Sequence, residues 1–125
     1  MESVFQDVFS KIEDHLPSDW QRVAIYFAKV NKMMDFKYYV DTGDGYVVNL
    51  RLADYDGLEC AKLTIAIDKL LMAERDKLPK KQQWSVFTMF IDSSGKFKVD
   101  YYYDNISKTF PQYKADWESK FIYNK

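Results

Sequence analysis

The sequence predicts an α+β fold: an antiparallel sheet of about five strands with helices mainly on one face, in the order α-β-β-β-α-β-β-α. Two pairs of β-rich runs are each joined by a short glycine-containing segment, 41–45 and 93–95, as in antiparallel hairpins. Apolar residues elsewhere recur at three- and four-residue intervals, the mark of helices with one buried face. Aromatic residues make up 18% of the chain, with ten Tyr and nine Phe, side chains that pack well on a pleated surface. A length of 125 residues suits one hydrophobic core, so a single domain over 1–125 is expected.

In the first helix Val4, Phe5, Val8, Phe9 and Ile12 share a face, and Pro17 closes it. Gln21 to Val30 reads as a strand, alternating Val23, Ile25, Phe27 with Arg22, Ala24, Tyr26, and Asn31-Lys32 as its turn. Phe36 to Val40 and Tyr46 to Leu52 form a hairpin about Asp41-Thr42-Gly43-Asp44-Gly45, whose glycines permit positive φ. Asp56 with Glu59 forms a capping-box pattern, after which Leu63, Ile67, Leu70 and Leu71 make a helical stripe running toward Leu78 and Pro79. Trp84 to Asp92 and Lys96 to Asp104 form a second hairpin about Ser93-Ser94-Gly95. There Phe97, Val99, Tyr101 and Tyr103 are expected to face the core, and the alternate residues to be largely wet. After an irregular Asn105 to Phe110, Pro111 sits in the first turn of a last helix, with Tyr113, Trp117 and Phe121 one turn apart.

Charge and cysteine content narrow the function. With 18 basic and 19 acidic residues the net charge is -1, which supplies little of the phosphate attraction behind direct nucleic-acid binding. The single cysteine, Cys60, excludes an intrachain disulfide and fits a reducing cytoplasm. Met1 to His15 carries Glu2, Asp7, Glu13 and Asp14 and lacks the form of a signal peptide, and no run approaches the apolar length of a membrane span.

Catalytic patterns are not evident. The sole histidine, His15, falls in no motif with a nucleophile, and Cys60 on the second helix's stripe reads as a packed thiol. Asp41 with Asp44, and Asp54 with Asp56, read as turn and cap chemistry rather than metal ligands, since EF-hand spacing is missing. The four glycines form neither a phosphate loop nor a dinucleotide fingerprint, so no cofactor is expected.

The surface offers the remaining candidates. Tyr26, Tyr39 and Tyr102 are placed on outer strand faces with Asp100 and Asp104, interleaved with Lys37, Arg51 and Lys98. Asp92, Asp100, Asp104, Asp116 and Glu118 run through the last hairpin and helix, where they are suited to steer toward a basic partner. Each tyrosine has the alternative role of covering its strand neighbours, and the acids that of a solvated edge diluted by Lys96, Lys98, Lys108 and Lys114.

A run of motifs carries a resemblance: Leu16-Pro17-Ser18-Asp19-Trp20, then Tyr26, Trp84 with Phe87-Thr88, Gly95-Lys96-Phe97-Lys98-Val99-Asp100, Tyr103, Trp117, and Lys120-Phe121. In this order they resemble the YezG-like family, with its L-P-x-x-W, W-x-x-F-T, G-K-F-K-x-D and W-x-x-K-[FY] patterns, over almost the whole chain. The resemblance implies a bacterial immunity protein or antitoxin without catalytic residues. Its implied partner is the C-terminal domain of a cognate toxin, often a nuclease, of a polymorphic, type VII secretion or contact-dependent inhibition system. Phe110 to Trp117 is shorter than the family's usual stretch and lacks its Glu-Arg pair, for which Lys114 is a partial substitute, so the partner's identity does not carry over. The competing functions are a small enzyme or ligand-binding domain using Asp100, Tyr102 or His15, and an adaptor or oligomerisation module.

Overall fold

The computed structural model describes residues 3–53, 55–106 and 108–123. Helix α1 (Ser3–Glu13) buries Val8 and Ile12, and the chain turns at its end through Leu16 N–H to the Glu13 carbonyl at 3.1 Å, just ahead of Pro17. Strands β1 (Arg22–Val30), β2 (Met33–Asp41), β3 (Tyr46–Val48), β4 (Val86–Asp92) and β5 (Phe97–Tyr102) form one antiparallel sheet in the order β3-β2-β1-β4-β5. Helix α2 (Gly57–Asp76) separates β3 from β4, and α3 (Phe110–Phe121) follows β5. The element order is the one expected, α-β-β-β-α-β-β-α.

β1 runs through the middle of the sheet, and every residue from Val23 to Ala28 is buried. Its two faces enter different cores. Val23, Ile25 and Phe27 pack with Val8 and Ile12 of α1 and Leu63, Ile67 and Leu71 of α2. Ala24, Tyr26 and Ala28 pack on the opposite side with Tyr39, Trp117 and Ile122. Two helices thus share one face while α3 covers the other.

The elements differ in extent from the sequence expectation for local reasons. β2 begins at Met33 rather than Phe36 because Asn31 adopts φ 55°, a left-handed conformation Asn tolerates, so pairing continues to Val30 opposite Met33. β3 stops at Val48 instead of Leu52, because the chain coils into a 3-10 turn over Asn49–Arg51, closed by Leu52 N–H to the Asn49 carbonyl at 3.2 Å. Asp56 caps α2 by accepting from Leu58 and Glu59 N–H at 2.9 and 3.1 Å, while the Glu59 carboxylate pairs with Lys62. α2 ends at Asp76, short of Leu78.

β5 is a sheet edge: Phe97, Val99 and Tyr101 point to the core face as expected, Tyr101 lying 5.9 Å from Trp84 and 5.8 Å from Phe87 ring to ring, but the edge position leaves Phe97 and Tyr101 40% and 39% exposed, and Tyr103, past the end of the strand, 54%. The face expected to be wet is partly covered, since the Tyr102 ring lies 4.7 Å from Tyr113 of α3. Among the described residues no helix is long and apolar enough to cross a membrane.

Candidate partner-binding surface

α3 organises this surface. Pro111 lies in its first turn, and Trp117 is the side chain that seats it, 5% exposed. The indole ring lies 4.9 Å from Tyr26, 5.6 Å from Tyr39 and 6.2 Å from Phe90, ring to ring. Both tyrosines are therefore 0% exposed. Placing Tyr26 and Tyr39 on an open outer face is overturned: α3 lies over them, and neither ring can anchor a partner while it does. Ala24 and Ala28 flank Tyr26 on that face, and their small side chains leave room for the indole above.

Polar chemistry under α3 is uneven. The Tyr39 hydroxyl donates to Glu118 Oε2 at 2.8 Å, whereas the Tyr26 hydroxyl and the Trp117 Nε1 have no hydrogen-bond partner. Burial pushes both phenols far above the ordinary tyrosine range, with the Glu118 hydrogen bond adding to the effect at Tyr39 and the Asp35 charge at Tyr26. Lys114 pairs with Asp35 at 3.0 Å and stands 5.8 Å over the Tyr26 ring. Glu118 and Lys114 thus tie α3 to β2 rather than facing outward.

Asp92 serves its own turn. Its carboxylate accepts from the Ser94 hydroxyl, from Ser94 N–H at 2.9 Å and from Lys96 N–H at 3.1 Å, with the Ser94 hydroxyl the main cause of its lowered pKa. It closes the β4–β5 hairpin at the end away from Asp104. Asp41 does similar work in the first hairpin, accepting from Gly43 and Gly45 N–H at 2.7 and 3.1 Å and pairing with Arg22. Asp54 lies outside the described residues.

Of the other four candidates, Asp100, Tyr102 and Asp104 come together at β5, beside α3. Asp100 and Tyr102 line a cleft of about 220 Å³ with Thr88, Tyr113, Trp117 and Phe121. The Tyr102 hydroxyl donates to Asp104 Oδ2 at 3.4 Å, and Asp100, 46% exposed, pairs with Lys98 at 3.4 Å. At about 100° per helical residue, Asp116 stands on the flank of α3 beside Tyr113, away from Lys114 and Glu118. There it accepts from Gln112 Nε2 at 2.7 Å. Asp100, Tyr102 and Asp104 make an acidic, partly aromatic border at β5 facing α3. Phe97, Tyr101 and Tyr103 lie on the opposite, core-facing side of the strand, partly exposed at the sheet edge.

No group of three or more His, Cys, Asp and Glu is placed to hold a metal ion among the described residues. His15 is exposed, and Cys60 is half-buried with Asn49 Nδ2 3.5 Å from its Sγ. Both line a cleft between the end of α1 and the start of α2 that the sequence did not reveal. The one available signal was Asn49, an amide closing a β-rich run.

The chain has no match among curated proteins. The family model described as Immunity protein YezG-like matches residues 1–124. That span takes in all three helices and all five strands, and the chain belongs to the YezG-like immunity protein family.

Proposed function

We propose that this chain is an immunity protein acting as a single domain in the bacterial cytoplasm, neutralising the C-terminal domain of a cognate toxin, of nuclease type, by stoichiometric occlusion. It performs no chemistry of its own. The observation that carries the reading is the family match over residues 1–124.

The geometry supports a particular docking surface. A basic cleft of the kind that grips nucleic-acid phosphates meets the acids Asp100 and Asp104 at the border of β5 and Asp116 on α3, with Tyr102 as an aromatic anchor. β5 is also an edge strand of the sheet, and the partly exposed Phe97 beside it suits an apolar side chain of the partner. Tight inhibition requires burial of roughly 1,200–2,000 Å² in all, more than one small cleft supplies, so strand edge and helix flank act together.

The test is co-expression with the toxin domain encoded beside this chain's gene. Rescue of growth, with the two proteins co-purifying, is expected. Toxicity that persists despite soluble, folded immunity protein overturns the reading.

A further inference from the structure

The two faces of the sheet are covered with unequal security. On the face under α1 and α2, Val8, Ile12, Leu63, Ile67 and Leu71 are driven into the core. Over the other face, α3 contributes Trp117 alone as a buried residue of its helical span. α3 belongs to no strand ladder, so its departure leaves the pairing of the sheet intact. Its first turn also lacks support: Thr109 gives no side-chain cap and no acid follows it, whereas Asp56 caps α2. A helix of 12 residues without tertiary support is marginal in water.

Polar chemistry beneath α3 works against its docking. Among the described residues, the buried side-chain donors without an acceptor are the Tyr26 hydroxyl and the Trp117 Nε1, and both lie at this one interface. A buried donor left unpaired has given up water without a replacement, and such groups are uncommon in folded proteins. Water reaches these two atoms only when α3 lifts, and hydrating them offsets part of the cost of exposing the indole and the rings of Tyr26 and Tyr39. The polar groups that hold α3 down are the Tyr39–Glu118 hydrogen bond and the Lys114–Asp35 ion pair, in which both side chains keep some exposure.

We infer that α3 is a latch: it lifts and unwinds as a unit while the sheet, α1 and α2 stay folded, and in lifting it uncovers an aromatic sheet face made by Tyr26 and Tyr39 with Ala24 and Ala28. The closed form is the resting state, because Trp117 packs against both tyrosines at ring distances of 4.9 and 5.6 Å. α3 is thus an autoinhibitory contact for that face, which stays hidden until the latch opens. Tyr26 and Tyr39 then regain the outward positions that strand alternation gives them.

The test uses the chain alone, so its answer is independent of the toxin-binding reading. In a Cys60→Ser background, Ala24→Cys puts a thiol under α3 and Val23→Cys puts one under α1 and α2, at adjacent fully buried positions on opposite faces of β1. Each protein is labelled with N-ethylmaleimide from zero urea to the foot of the unfolding transition. The thiol at position 24 should react roughly a hundredfold faster than that at 23 and almost independently of urea, while the rate at 23 rises steeply with it. Adding Tyr39→Phe, which breaks the bond to Glu118, should speed labelling at 24 by roughly tenfold. Hydrogen exchange of the unsubstituted protein guards against disturbance by the new thiols: α3 amides should exchange roughly a hundredfold faster than those of β1, again with little urea dependence. Equal labelling at 23 and 24, no response to Tyr39→Phe, or α3 amides as well protected as those of β1 overturns the proposal.

Discussion

Tyr26 and Tyr39 touch the same indole from adjacent strands, yet only one of them uses its hydroxyl. Tyr39 donates to Glu118, and Tyr26 holds a buried O–H with no acceptor. Their phenylalanine variants should therefore diverge. Tyr39→Phe removes a charge-assisted bond and should cost about 1–2 kcal/mol, whereas Tyr26→Phe removes only an unpaired buried group and should be neutral or stabilising. Urea unfolding of the two variants measures the difference, and equal losses would show that the Tyr26 hydroxyl has an acceptor.

The same residues set the alkaline limit. Folding holds the protons of Tyr26, Tyr38 and Tyr39 more tightly than the unfolded chain does, chiefly through burial. Their contribution to stability is complete below the unfolded tyrosine pKa of about 10 and declines as pH rises through and beyond it. The thermal midpoint should thus fall as pH rises from about 10 upward. In an absorbance titration these three phenols should ionise only as the protein unfolds; early ionisation of all ten tyrosines would contradict the buried arrangement.

α3 shows what a sequence can and cannot convey about an element. Its helical spacing, its proline and its aromatic edge are all local, and all are legible. Which face of the sheet receives it is not local. Tyr26 read from its own neighbourhood is an outward residue of an alternating strand; the helix that buries it lies about ninety residues later in the chain. The same limit applies to β5, where alternation assigns Phe97 and Tyr101 to the core but edge position leaves them half open. Turn chemistry shows the opposite case, since Asp41, Asp56 and Asp92 accept from N–H groups within four residues; Asp41 and Asp56 were readable as turn and cap acceptors by that proximity, whereas Asp92 was assigned to a partner.

Seating α3 through one large side chain makes that side chain decisive. Trp117→Ala should lower stability by roughly 3–5 kcal/mol, because it empties a packed site and exposes Tyr26 and Tyr39. Trp20 and Trp84, both on the α1–α2 side, remain as fluorescence probes of the unfolding transition. A loss below about 1 kcal/mol would mean that α3 is held by other contacts.

For the whole molecule, the family and the order of helices and strands along the chain were legible because the motifs span it, while the packing around each candidate side chain was legible only in part. Of the eight candidates, Asp100, Tyr102 and Asp104 share one border, Asp116 accepts from Gln112 on α3, Tyr26, Tyr39 and Glu118 serve the packing of α3, and Asp92 closes its turn. On the proposed reading, steering falls to Asp100 and Asp104. Asp100→Lys with Asp104→Lys should slow association with the toxin by roughly tenfold at low salt and leave dissociation largely unchanged. Stopped-flow rates at two ionic strengths measure this, and an unchanged association rate would remove both acids from the docking surface.

The central claim is that the chain silences its toxin by occupying it one to one. Residual activity of a fixed amount of the cognate toxin domain, titrated with this protein at concentrations well above the dissociation constant, tests it most directly. The account predicts a linear fall to zero at equimolar ratio, with toxin released intact and active on separation of the complex. Activity that persists at excess, or that is lost permanently at far less than equimolar protein, would contradict it.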